Sequence, residues 1–495
     1  MRRPDDENTE ARAAPPATAP VAPATSTRVL TLVVASALFM ESLVSTVIAT
    51  SLAAMAADLA VDPLTLKLAF TAYFVALAIF IPISGWMADR FGAKTVFAAA
   101  IAVFTLSSVG CALAWDLVSL VTGRFCQGLG GAMMLPVGRL VLLRAIPKRE
   151  MVSAMAWLSI PTLFAPIVGP PVGGFITTYY HWRGIFWLNV PVGLVGLALA
   201  LALVPQVRAE QTRPMDWPGF FLCGAGLALA IFGFTLLGNV QPGAAAWAAE
   251  ALPGFAMMAA GAALLVAYVR HARRTPHPLV DLSLLSIATL RVSIVAGVLF
   301  RVAVGAIPFL LPLMLQVGFG MSAFRSGLLT FASAVGAVTM KLTAAPILRR
   351  FGFRASLIGN TWLSSALILA MAFFTAHTPA AVVITVLLVG GFFRSLQFTS
   401  LNTLGYADVP GERLSSATSL VAVTQQLSLA AGVAVAAMLL GASRAVEGRD
   451  DLLAVDFQRA FVAIGVISLA ALLSYRTLAV DAGAEVSGHR RAAGS

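Results

Sequence analysis

Charge is scarce in this chain. Asp, Glu, Lys and Arg together supply 11% of its 495 residues, where a soluble globular domain carries about 25%. That shortage, with 59% hydrophobic residues and a mean hydropathy of +0.89, excludes a water-soluble fold and points to a polytopic membrane protein. Cysteine is nearly absent. Cys111, Cys126 and Cys223 all fall in apolar stretches at no metal-ligand spacing, which argues against a disulfide or a metal centre. Histidine is equally sparse. His181, His271, His277, His377 and His489 are scattered with no acid partners at useful spacing, so an integral-membrane enzyme acting on lipids is a remote alternative. No GxxxxGK[ST] occurs and no loop is long enough for a nucleotide domain, which excludes an ATP-driven pump and any cofactor readable as a motif. Acids are the scarcer sign, 22 against 33 Lys and Arg, for a net charge of +11. In a membrane protein this excess belongs to basic loops on one face rather than to a nucleic-acid surface.

Apolar runs of bilayer length are abundant. Each crossing needs roughly 20 apolar residues, and fourteen segments qualify: 29–56, 66–87, 95–114, 117–143, 152–178, 185–205, 217–238, 248–269, 290–316, 326–346, 355–376, 380–404, 415–441 and 457–478. Residues 1–27, rich in Pro and Ala, read as a disordered cytoplasmic segment rather than a signal peptide, and 480–495 as a cytoplasmic tail. With both termini in the cytoplasm, 22 Lys and Arg fall inside and 6 outside, among them Lys67, Arg183, Arg444, Arg449 and Arg459. So skewed a split supports both the span count and the orientation, and a bacterial inner membrane is the expected location.

The chain also repeats itself. Arg90-Phe91-Gly92 after the second span recurs as Arg350-Phe351-Gly352 after the tenth, 260 residues on. Arg124 and Gln127 of the fourth span recur as Arg394 and Gln397 of the twelfth, 270 residues on. The simplest architecture is an all-α membrane protein with six spans (28–206), two inserted spans (207–275) and six more (276–479). Two repeated halves with a site between them near the midplane are the plan of a secondary transporter.

Three motifs carry a family resemblance. GWMADRFGAK (85–94) resembles the cytoplasmic loop signature of the major facilitator superfamily; Gly85, Asp89, Arg90 and Gly92 are its marked positions. Gly85 is expected to permit close helix approach, and Asp89 to pair with an arginine as a conformational latch or to remain a solvated loop charge. LVTGRFCQGLGGA (120–132) resembles the fourth-span signature and places Arg124 in it. The GPPVGG run, with Gly169, Pro170, Pro171, Gly173 and Gly174, resembles the antiporter signature, although Ala156 and Ala165 stand where that pattern has glycine. HWRGIFWLNVPVG (181–193) and PMDWPGFFL (214–222) are similar to stretches of the 14-span drug:proton antiporter branch. The resemblance covers about residues 28–478. It implies two six-helix bundles plus two inserted helices, alternating access, and export of small hydrophobic or amphipathic compounds in exchange for protons. A dedicated exporter of one metabolite, anionic by the count of buried bases, is the rival reading. Lipid, protons and a small-molecule substrate are the implied partners, a periplasmic adaptor is left open, and a monomer is the expected state.

One position departs from the family pattern. The first span there usually carries an Asp, followed two residues later by Thr; here Thr46 is present but Val44 stands in place of the Asp. Glu41, three residues earlier on a similar helix face, is the only charge between Val29 and Ala57. A lone intramembrane carboxylate is costly and marks a function by default. Glu41 is therefore the expected proton carrier, with Arg124 as its modulator. The 260-residue offset places Arg301 at the equivalent point of the other half, so a Glu41–Arg301 pair across the cavity is expected when the site is empty. Gln316, Arg394, Gln397, Asn402 and Gln425 are candidate cavity residues, and Arg139 and Lys341 complete the intramembrane charges.

Overall fold

The computed structural model describes residues 27–146, 151–206, 208, 214–237, 247–276, 278–410, 413–449 and 451–487. The expectation of a disordered segment over 1–27 lies, save its last residue, outside the described residues, as do residues 488–495 of the expected 480–495 tail. Every regular element among the described residues is helical. α1 (Thr27–Val47) runs through a 3-10 turn into α2 (Leu52–Asp58), and a second 3-10 turn (Pro63–Leu66) leads to α3 (Lys67–Phe91). α4 (Ala93–Ala112), α5 (Leu117–Ala145), α6 (Met151–Tyr179), α7 (Gly184–Trp187) and α8 (Asn189–Leu203) complete the first half. α9 (Trp217–Leu237) and α10 (Trp247–Ala272) are the two inserted helices. α11 (Ala288–Leu313), α12 (Ala323–Met371), α13 (Ala380–Ala407), α14 (Leu414–Val446) and α15 (Ala454–Tyr475) form the second half, followed by the short α16 (Ala484–Ser487).

Local chemistry sets the helix boundaries. Asp62 accepts from the Leu64 amide at 2.8 Å, and Asp116 and Ser119 cap α5 reciprocally, meeting donors that a helix start leaves free. Gly92 ends α3 with φ 92°, and Gly352 breaks α12 with φ 71°. These two left-handed positions, 260 residues apart, are the glycines of the sequence repeat, and a side chain at either would be strained. α12 is therefore two helices meeting at Gly352. Twelve helices among the described residues are long and apolar enough to cross a membrane. The two expected crossings not among those twelve are 152–178, which lies in α6, and 355–376, which begins in α12 beyond Gly352.

The inserted helices pack through glycine. A Cβ on Gly233 would lie 2.7 Å from the Gly254 carbonyl, and one on Gly261 2.6 Å from the Ala230 amide. Gly226 and Gly233 on α9, and Gly254 and Gly261 on α10, are each spaced by two helical turns, so small residues line one face and let the backbones touch. α9 in turn lies against α3, with Phe80 and Phe220 centroids 5.9 Å apart and Trp86 and Trp217 5.7 Å apart.

The core shows how the halves meet. One large apolar cluster mixes residues of both halves, including Val47, Leu52 and Phe70 with Phe309, Leu313 and Leu440. It sits at the end of the molecule that carries Asp62 and Arg444. Toward the opposite end the core divides: Val34, Phe97 and Val141 cluster within the first half, while Phe300, Phe353, Leu404 and Tyr475 cluster within the second. A further cluster joins Ala78 of α3 to Leu290, Ile294, Ala417 and Leu420 of the second half, beside Cys223 and Leu227 of α9, so the halves also meet toward that end.

Candidate functional site

Glu41 occupies the middle of α1 and is half-buried. Tyr73, buried on α3, donates from its hydroxyl to Glu41 Oε1 at 3.4 Å. The guanidinium of Arg124 on α5 stacks over the same tyrosine ring, 4.3 Å from its centroid. Arg124, 1% exposed, donates from Nη1 to Gln127 Oε1 at 2.5 Å and from Nε to the Ala69 carbonyl at 3.3 Å, and Gln127 donates to Ser108 Oγ at 2.7 Å. A relay thus runs Glu41–Tyr73–Arg124–Gln127–Ser108 across α1, α3, α5 and α4. Small residues make room for it: a Cβ on Gly131 would meet the Tyr73 hydroxyl at 3.3 Å and Glu41 Cγ at 3.5 Å. Val44, where the family pattern has its acid, is buried in the apolar core of the first half.

Glu41 and Arg301 are not an ion pair in this structure. Arg301 is fully buried on α11. It turns back along its own helix to lie over Gly297, donates from Nη2 to Asn402 Oδ1 at 2.9 Å, and sits 5.7 Å from the Phe398 ring. The repeat offset fixed its height along the helix, not the direction its side chain takes.

The antiporter-signature glycines are contact points. A Cβ on Gly173 would fall 2.6 Å from Thr50 Oγ1 and 2.7 Å from the Val47 carbonyl. Gly169 abuts the Thr46 hydroxyl, Gly174 the Ala323 carbonyl, and the Pro170 carbonyl abuts Gly327 of α12. The GPPVGG face is thus pressed between α1 and α12, joining the halves where the shared core lies. Beside it Thr178 accepts from the Phe324 amide at 2.9 Å, Gln316 donates to the Thr50 carbonyl at 3.1 Å, and Arg444 pairs with Asp62 at 2.6 Å. Gln316 belongs to this junction rather than to a cavity wall.

The loop signature divides in two. Asp89 pairs with Arg144 at 2.7 Å across the ends of α3 and α5, and Gly92 supplies the turn. Gly85, expected to allow close approach, is exposed, and nothing lies within 4 Å of where its Cβ would be. Arg90 is also exposed. In the second half Arg394 bonds Ser333 Oγ at 2.7 Å, and Gln397 is buried between Asn360 and Thr361. The pair that is bonded in the first half, Arg124 with Gln127, is thus separated in the second. Asn402 and Gln425 are half-buried. Lys341 is exposed and bonded to Thr399 at 2.9 Å, and Arg139 is exposed on α5.

Lys67, assigned to an outer loop by its sequence position, is fully buried at the start of α3, its ammonium without a hydrogen-bond partner among the described residues. Three other basic residues of that end are paired with acids: Arg183 with Asp58 at 2.5 Å, Arg449 with Glu447 at 2.6 Å and Arg459 with Glu447 at 2.5 Å, while Arg325 is exposed. Hydrogen bonds from Arg459 and Arg449 hold the Glu447 carboxyl below its ordinary range. Tyr73, Ser108 and Asp62 were missed by sequence reasoning. Tyr73 stands in the otherwise apolar run 72–83, a polar aromatic that signals a partner when buried.

Comparison with known proteins accords with this geometry. The sequence pattern of the Major Facilitator Superfamily matches residues 34–221 and 293–492. The chain belongs to the major facilitator superfamily. It is 37% identical over 412 residues to the putative multidrug resistance protein MdtD of Salmonella paratyphi B (strain ATCC BAA-1250 / SPB7), covering 83% of this chain and 85% of that one, and equally to its counterpart in Salmonella typhi. The fold is similar to that of a D-xylose–proton symporter (TM-score 0.64, 15% identity, 92% of this chain and 98% of that one). It is also similar to the nucleoside transporter NupG (TM-score 0.61, 12% identity, 90% and 98%). This member of the superfamily is a multi-pass membrane transporter and not an enzyme.

Proposed function

We propose that this transporter exports small hydrophobic or amphipathic compounds in exchange for protons, by alternating access of its two halves. The observation that carries the reading is the Glu41–Tyr73–Arg124 relay. Glu41 has only a long hydrogen bond from Tyr73 and no cation within ion-pair distance among the described residues. Burial without a paired cation favours the neutral form of a carboxyl in general, and a group poised to gain or lose a proton with its surroundings suits a carrier. Arg124 keeps its charge in either state, so its separation from Glu41 by one tyrosine ring gives a fixed positive field that movement of α1 against α5 would strengthen or weaken. The multidrug resistance named for the MdtD relatives supports export of varied compounds.

The geometry also supports an orientation. The end with the large shared cluster carries Arg183, Arg444, Arg449 and Arg459 paired with acids, and the opposite end carries Arg90, Arg291 and Arg350 on exposed surface. That opposite end is the cytoplasmic one by the positive-inside rule. Inverted membrane vesicles with an imposed pH gradient test the function, with a panel of cationic, neutral and anionic compounds. Gradient-dependent uptake of several of them, collapsed by a protonophore, is the expected result; uptake indifferent to the gradient contradicts the coupling.

A further inference from the structure

Arg301 is a buried cation without a counter-charge. It is 0% exposed, and no carboxylate lies within ion-pair distance among the described residues. Of its five N–H donors only one on Nη2 is used, by Asn402; Nε and Nη1 have no partner. The Tyr475 hydroxyl, also fully buried and within electrostatic range of Arg301, lies against Gln397 without a well-formed hydrogen bond. Removing a guanidinium from water costs several kcal/mol unless an opposite charge and hydrogen bonds offset it, and each unmet donor adds about 1–3 kcal/mol. One such group could be an accident of packing. Two donors of one arginine and a neighbouring hydroxyl, all unmet at one place, describe an acceptor-shaped gap.

That gap has an approach. Asn402, the one partner of Arg301, lines a cleft of about 300 Å³ together with Thr403, Tyr406, Ala407 and Val486. Tyr406 stands one helical turn beyond Asn402 on the same face of α13 and lies within electrostatic range of both Arg301 and Arg139 of the other half. The cleft opens between the end of α13 and α16. Its polar lining is hydroxyl and amide, and Asp408 and Glu485 stand next to its lining residues Ala407 and Val486. The planar guanidinium presents donors in the plane that a carboxylate's two oxygens accept from.

We propose that Arg301, Asn402 and Tyr475 form a binding site for the carboxylate of an amphipathic substrate, reached through the Tyr406 cleft. The assignment names a substrate class for the exporter and rests on that reading only for its physiological meaning, because binding is measurable without transport. The full-length protein in phosphatidylcholine nanodiscs is titrated with naphthalene-1-carboxylate and with the neutral, near-isosteric naphthalene-1-carboxamide, in chloride-free buffer. The expected result is a carboxylate preference of about tenfold or more, the worth of one charge-assisted hydrogen bond. Arg301→Gln should bring the two ligands within about twofold of each other, and Arg301→Lys should keep part of the preference, because it keeps the charge but loses the planar donors. Equal affinities for the native protein, or an undiminished preference in Arg301→Gln, overturn the assignment. Should Arg301→Gln fail to fold, Tyr475→Phe removes a single donor. A reduced preference in that variant supports the site, and an unchanged one overturns it.

Discussion

At the scale of single residues, the account depends on where a few polar side chains turn. Glu41 was legible in the sequence because one acid in a long apolar run stands out. Its partner was not. The repeat places Arg301 at the same height in the other half, and spacing alone cannot say that Arg301 folds back over Gly297 toward Asn402 while Glu41 turns to Tyr73. Tyr73→Phe removes the one side-chain hydrogen bond to Glu41 among the described residues and leaves the ring under Arg124. Gradient-driven export should fall by roughly tenfold, the worth of one hydrogen bond to a charged group, with protein abundance unchanged. Export rates equal to the native protein's would remove Tyr73 from the relay.

At the scale of elements, the motifs sort by what a Cβ would meet. The helices, the inserted pair and the repeat glycines were readable from apolar run length and from Arg-Phe-Gly at 260 residues. Which motif glycines bear contacts was not readable, because that depends on the helix facing each one. Gly173→Val should force α6 from α1, since Thr50 and Val47 already fill the space, and cost the 1–3 kcal/mol typical of overpacking. Gly92→Ala should cost about 1–2 kcal/mol for its left-handed backbone. Gly85→Ala, with open space around it, should be silent. Thermal unfolding in detergent ranks the three, and a destabilised Gly85→Ala would contradict the ordering.

The inserted helices are clasped to the second half by Asp216. Its side chain, 4% exposed, contacts His271 at 2.7 Å and accepts from the Gly219 and Leu279 amides at 2.9 and 3.1 Å. Burial alone would raise its proton affinity, but bonds from His271, Gly219 and Leu279 outweigh burial and hold the carboxyl below its ordinary range. A carboxyl whose folded value is lowered contributes stability above its unfolded value, about 3.9, and loses it as pH falls through the folded one. Asp216→Asn should therefore lower the unfolding temperature at pH 7, and the difference from native should shrink below about pH 4. A difference independent of pH would show that the charge is not what holds the clasp.

At the scale of the molecule, the proposed alternating access makes the end with the large shared cluster a gate, with Asp62–Arg444 as an ion pair across the halves. Both residues were visible in the sequence only as loop charges 382 positions apart, and nothing short of the folded arrangement pairs them. Asp62→Asn should shift the resting population toward a form open at that end. Spin labels at Ala60 and Val446, beside the two partners, should then show a longer-distance population that the native pair suppresses. An unchanged distance distribution would assign the gate to the apolar cluster and the GPPVGG contacts alone.

The central claim is that Glu41 carries the proton that drives export, and Glu41→Gln tests it most directly. In proteoliposomes the variant should still exchange labelled for unlabelled substrate at equilibrium, because binding and alternation remain. It should fail to concentrate substrate when a pH gradient is imposed. Native-level accumulation against the gradient by Glu41→Gln would contradict the account.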